Sequence, residues 1–188
     1  MLQRPRRNRK SAVIRDMIQE NHLSAANLIF PLFIIEGQNQ KTEVSSMPGI
    51  YRHSIDNLLR EIESCMKLGL YAFDLFPNID DSLKDKYATV SYKKDNLYLR
   101  AIEVVKKNFP EACIVTDVAM DPYSSDGHDG IVENGIILND ETLVVLGKMA
   151  LAHAEAGADI IAPSDMMDGR IGYISQLLDE NGFAHVSL

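Results

Sequence analysis

Five apolar segments begin near residues 28, 70, 112, 158 and 183, and between them apolar residues recur three and four apart. The first kind of segment reads as strand, the second as helix. Strand and helix in alternation force parallel pairing, because each helix carries the chain back to the start of the sheet. Residues 28–35, Leu-Ile-Phe-Pro-Leu-Phe-Ile-Ile, are apolar throughout, as a strand covered on both faces requires. Pro31 within them is awkward, since a central strand needs its N–H. One helix is expected from Ser54 as N-cap through Ile55, Leu58, Leu59, Ile62, Cys65 and Met66 to Gly69, and another over residues 96–109. A third runs from Asp140 as N-cap to Gly157, packing Leu143, Val144, Leu146, Ala150, Leu151 and Ala154, and a fourth covers 171–180. Residues 36–51 and 78–95 read as loops, the latter a solvated surface.

Polar residues gather where strands end. The segment Ala112 to Asp121 alternates like a strand, which places Val115, Asp117, Ala119 and Asp121 on one face before Pro122 stops it. Two carboxylates on such a face are costly unless a cation meets them. Asp126, His128 and Asp129 follow in a loop that Gly127 and Gly130 leave free to turn. Asp, Ser and Gly also make ordinary turns, so this composition alone leaves a site and a plain loop both open. A calcium loop is excluded, because its first ligand position falls on Pro122. Ser164 to Arg170 form a second polar cluster after the fourth strand. No G-x-G-x-x-G and no P-loop occurs, so the clusters point to an α/β chain of the (β/α)8 type, with its chemistry at the C-terminal ends of the strands.

The 188 residues suffice for one domain with a real core, and a net charge of −8 argues against nucleic acid as a partner of the body. The charge is uneven: Arg4, Arg6, Arg7, Arg9 and Lys10 precede the first acidic residue. Residues 1–27 therefore read as an arm, either solvated or lying on an acidic partner subunit. Cys65 and Cys113 sit far apart in apolar segments, as reduced thiols of a cytoplasmic protein would. No apolar run has the length of a membrane span, and the basic start lacks the apolar core of a signal peptide.

Taken together, a series of stretches resembles the porphobilinogen synthase (5-aminolevulinate dehydratase) family. They are Arg4-Pro5-Arg6-Arg7, Phe30-Pro31-Leu32-Phe33, Met47-Pro48-Gly49, Phe73-Asp74-Leu75-Phe76-Pro77, Thr116-Asp117-Val118, Asp121-Pro122-Tyr123, Gly127-His128-Asp129-Gly130, Asn139-Asp140-Glu141-Thr142 and Ala162 to Arg170. Each is weak alone; their number and order carry the resemblance, which covers essentially the whole chain. It implies a (β/α)8 barrel in which 28–188 supply the first four to five strands, ending in the fifth, with 1–27 as a subunit-contact arm through Arg4, Arg6, Arg7 and Arg9. It implies condensation of two 5-aminolevulinate molecules to porphobilinogen, for haem and other tetrapyrroles, in a homo-octamer. Family members hold the substrate on two Schiff-base lysines that follow the strand where this sequence ends, and no lysine here matches them. The chain alone is thus expected to be inactive. A non-catalytic subunit that binds full-length subunits through its arm is the alternative; a different Schiff-base aldolase would need a strand-end lysine.

By the same resemblance, Asp117 corresponds to an acidic residue beside the lysines, and Ser164 to a serine at the mouth of the site. Zinc-using members carry cysteines where this chain has Ala119, Asp121 and Asp129. Hard carboxylate donors suit Mg2+ and do not make a thiolate zinc site, so the magnesium-responsive branch is implied. Asp121 and Asp129 are expected to bind either a metal or the substrate amine, and Asp168 to lie in the outer shell of an allosteric magnesium.

Overall fold

A computed structural model describes residues 2–188. In order come α1 (Ala12–Met17), β1 (Ile29–Ile34), β2 (Lys41–Glu43), β3 (Tyr51–His53), α2 (Ile55–Met66), β4 (Ala72–Pro77) and α3 (Leu97–Asn108). They are followed by β5 (Cys113–Val118), β6 (Ile131–Glu133), β7 (Ile136–Leu138), α4 (Asn139–Ala156), β8 (Ile160–Pro163) and α5 (Arg170–Glu180). One sheet has the order β2-β3-β1-β4-β5-β8, parallel except for the β2–β3 pair. The neighbours β1, β4, β5 and β8 each lead to a helix, which is the opening arc of a (β/α)8 barrel.

The two faces of the sheet differ. Leu32, Ile34, Phe73, Leu75, Ile114, Val118 and Ile161 are buried on the side that the helices cover. Burying each such side chain contributes about 2 kcal/mol. On the other side Pro31, Asp74 and Val115 form one register row, while Phe33 pairs with Phe76 and Asp117 with Ala162. Pro31 and Phe33 are more exposed than their helix-facing neighbours, as the concave side of an arc would be.

Pro31 is accommodated by the direction of its missing N–H. The Ile34 carbonyl accepts from Asn78 N–H on the β4 side, and the Ile35 N–H donates to the His53 carbonyl on the other. Alternation along β1 turns position 31 toward the β3 side, where β3 pairs only with Phe33 and Ile34. No ladder bond is lost.

Several expectations are corrected. The third strand ends at Val118, and Asp121 lies in the following turn, because the Tyr123 and Ser124 N–H groups both fold back on the Met120 carbonyl. The shared face of Val115 and Asp117 therefore does not extend to Asp121. Residues 183–188 make no strand; Ser187 forms one bridge to Ile160. Asp140 is in the first turn of α4 and not its cap, and α4 buries Val145 while Val144 is exposed. Ser54 occupies the N-cap position of α2, but its hydroxyl accepts from Gln40 N–H (2.9 Å) and donates to Asp56 Oδ1 (2.6 Å) in place of capping. The expected loop at 36–51 holds β2 and ends on the first residue of β3. The stretch 78–95 is not merely solvated: Ala88 and Ser91 are fully buried, and Asp85 bonds the loop after β5 through Tyr123 and Ser125. The β6–β7 hairpin is a further element beyond those expected, and its Asn134-Gly135 turn, both at positive φ, is the strongest short hairpin signal.

Candidate active site

Asp117 is the next-to-last residue of β5 and points to the concave side. Its neighbour β8 extends one step further by a 3.4 Å bond from Ser164 N–H to the Val118 carbonyl. That step sets the Ser164 hydroxyl against Asp117, where Oγ donates to Oδ1 at 2.5 Å. Two residues far apart in sequence thus meet because their strands are adjacent and parallel.

The charges that act on Asp117 are all acidic. Burial raises its carboxyl pKa most, the Ser164 bond lowers it, and Asp129 and Asp165 raise it again. Asp121 returns to the same mouth through the turn after β5. It is exposed as a whole with its carboxyl part-enclosed, and that enclosure, then the charges of Asp129 and Asp117, raise it too. The carboxyls of Asp121 and Asp129 are within hydrogen-bonding reach of each other. Asp129 is held by a loop in which His128 Nδ1 accepts from Gly130 N–H at 3.0 Å, so His128 is a loop-shaping residue in this arrangement.

Two further acidic residues belong to this group, neither of them among the expected site residues. Asp74 faces the concave side beside Asp117; burial first and the Asp117 charge second push its carboxyl up to about 6, and its Oδ1 is buried without a partner. An Asp between the buried Phe73 and Leu75 breaks the strand's apolar run, which is the signal that marks it. Asp165 is 2% exposed, accepts from Met167 N–H at 2.7 Å and faces Arg170 Nε at 3.5 Å.

The structure brings Asp117, Ser164, Asp121 and Asp129 together. It ties Asp168 elsewhere: its N–H donates to Asn139 Oδ1 (2.8 Å) at the start of α4. Arg4, Arg6, Arg7 and Arg9 lie exposed in the arm, in a short 3-10 turn, and form no ion pair among the described residues. Lys148 stands on α4 over the Tyr92 ring at 5.3 Å. Lys93 and Lys94 line a cavity of about 220 Å3 with Glu36, Asp80 and Asp95, which shares no residue with the Asp117 group.

For a metal, the donors near Asp117 are carboxylates. Among the described residues no three His, Cys, Asp or Glu side chains are grouped closely enough to hold an ion. Asp121 and Asp129 offer an adjacent pair of hard oxygen donors, which fits Mg2+ that keeps most of its water. Cys113 begins β5 at the end away from Asp117, and Cys65 is on α2, so no thiolate reaches this mouth.

Comparison with known proteins agrees with the arrangement. The chain is 51% identical over 185 residues to delta-aminolevulinic acid dehydratase of Chlamydia pneumoniae, covering 98% of this chain and 56% of that protein. It is 52% identical over 190 residues to the chloroplastic enzyme of Selaginella martensii, covering 98% and 45%. A solved structure of delta-aminolevulinic acid dehydratase (porphobilinogen synthase) from Toxoplasma gondii, in complex with the reaction product porphobilinogen, superposes with a TM-score of 0.93 at 45% identity, over 98% of this chain and 53% of that one. The chain spans about half the length of the curated relatives it matches. The family model for delta-aminolevulinic acid dehydratase matches residues 2–188. With that match over nearly every residue, and identities near one half, the chain belongs to the delta-aminolevulinic acid dehydratase family.

Proposed function

We propose that this chain supplies the acidic half of a porphobilinogen synthase site, in which two 5-aminolevulinate molecules condense to porphobilinogen with loss of water. The observation that supports it is the Ser164–Asp117 bond of 2.5 Å at adjacent strand ends, facing only further carboxylates. Such a rim attracts amines, whether the substrate ammonium or lysines from the remainder of a barrel. Asp117, partly buried and raised, is suited to accept a proton from an amine or from the carbon next to a ketone. Ser164 holds one of its oxygens, so the other is left to face the reactants.

Asp121 and Asp129 would hold Mg2+, which supplies positive charge that stabilises anionic oxygen; without it, the same pair binds an ammonium group. Asp168 would contribute to a second magnesium region by way of its loop. The arm would join subunits into a homo-oligomer, an octamer by resemblance, with Arg4, Arg6, Arg7 and Arg9 meeting acidic surface on a neighbour.

The test is porphobilinogen formation by the full-length gene product, with Mg2+ and Zn2+ titrated separately. Activity with Mg2+ response is expected, and Asp117→Asn should lower kcat about a hundredfold or more. Zinc dependence without response to magnesium would sink the metal reading. The 188-residue chain expressed alone should form no porphobilinogen; robust turnover by it would remove the need for lysines from elsewhere.

A further inference from the structure

The ladder between β4 and β5 stops early. Its register runs from Ala72–Cys113 to Leu75–Thr116, while β1 stays paired with β4 as far as Pro77, and β5 with β8 as far as Pro163. The rungs on this side begin with Cys113 N–H donating to the Tyr71 carbonyl at 2.8 Å. Parallel rungs recur every second residue, so the series reaches Asp117 N–H opposite the Leu75 carbonyl. That rung is not direct. Asp117 N–H donates to the Tyr98 hydroxyl at 2.9 Å, and the same hydroxyl donates to the Leu75 carbonyl.

Tyr98 comes from α3, on the helix-covered side, and its side chain is fully buried. Its ring meets the His153 ring edge-on, with centroids 4.6 Å apart. Burial, with the charges of Asp117 and Asp74 among the lesser causes, holds the phenol well above its ordinary pKa, so its proton stays on. A neutral hydroxyl that both accepts and donates can stand in for a peptide rung, but it is longer than one. Strands joined through it are held farther apart than the usual spacing of about 4.8 Å. The β4–β5 pairs end at Leu75–Thr116, so the parting begins at Asp117, while the outer neighbours of both strands remain paired.

We propose that Tyr98 is a positioning residue, whose hydroxyl parts β4 from β5 and so sets where Asp117 stands relative to Ser164. The functional half of this inference rests on Asp117 being the working carboxylate of the proposed reaction. An ordinary core tyrosine would have the same burial, yet it would not occupy the one rung that carries the site's carboxylate. Without the hydroxyl, Asp117 N–H and the Leu75 carbonyl are free to close on each other, which draws Asp117 toward β4 and away from Ser164 on β8.

The experiment is Tyr98→Phe in the full-length gene product, read by steady-state kinetics and by its crystal structure. Expected are a kcat about ten- to a hundredfold lower with KM little changed, since a displacement of about 1 Å is enough for such a loss. The crystal structure should show a direct bond from Asp117 N–H to the Leu75 carbonyl and a longer Ser164–Asp117 separation. Wild-type kcat together with an unmoved Asp117 would overturn the proposal. If the wild-type protein forms no porphobilinogen, the enzyme reading fails separately, and the position of Asp117 in the variant still decides the role of Tyr98. Tyr98→Met, which fills the space without a hydroxyl, serves if Tyr98→Phe does not fold. Unfolding of both variants would make Tyr98 a stability residue and defeat the positioning role.

Discussion

Asp117 is governed by one favourable contact among several unfavourable ones. The Ser164 hydroxyl stabilises its charged form, whereas burial and the charges of Asp129 and Asp165 oppose it. Ser164→Ala removes the favourable contact, so the Asp117 pKa rises and the carboxyl stays protonated to higher pH. The acid limb of the pH–rate profile of the full-length protein should therefore move upward, with the alkaline limb unmoved. Asp74 makes a different prediction. Its pKa rises from 3.8 to about 6 on folding, so its contribution to stability is fully present below the lower value and is lost as pH rises through the upper one. Asp74→Asn should raise the melting temperature at pH 7 and leave it unchanged near pH 3; scans at several pH values check this. Asp117 and Ser164 were legible as residues, through strand alternation and resemblance. Asp74 is legible in the sequence only as an acid interrupting an apolar strand; that its face brings it beside Asp117 comes from the sheet.

Among the elements, α3 shows how a local signal and a tertiary one coincide. Asn96 caps it by accepting from Leu99 N–H at 2.9 Å, and its amide also donates to the Val90 and Ser91 carbonyls. Asn96→Ala removes the cap and strips both carbonyls of a donor, so it should cost about 2 kcal/mol. A loss of that size lowers the melting temperature by roughly 4–8 °C. Differential scanning calorimetry would measure it. Neither expected cap, Ser54 nor Asp140, makes a capping bond, and Asn96 carried no such expectation, but the span of α3 was readable from its apolar spacing. The end of β5 was not: the pattern continues through Ala119 and Asp121, and only the turn built on the Met120 carbonyl takes Asp121 out of the sheet. The β2–β3 pair is three residues per strand, too short for periodicity to register.

At the scale of the molecule, the sheet has one face packed by helices and one concave face carrying the acidic residues. Among the described residues no helix is long and apolar enough to cross a membrane. The arm carries its arginines outward from a body that is otherwise acidic, which suits contact with a second copy. Removing residues 1–10 from the full-length protein should give smaller assemblies in sedimentation velocity, and high salt should weaken the native assembly in the same direction. An unchanged size distribution would leave the arm as solvated tail.

By itself the sequence determined the alternation of strand and helix, hence a parallel sheet, the end of that sheet at which polar residues gather, and through its motifs the family. These follow from local patterns of apolar and polar residues, which act over a few positions. Tertiary structure alone decided that Ser164 reaches Asp117, that Asp74 stands beside it, and that a tyrosine from α3 occupies a rung of the ladder. Each depends on which strands become neighbours and in what register, and no property of a short stretch of chain specifies that.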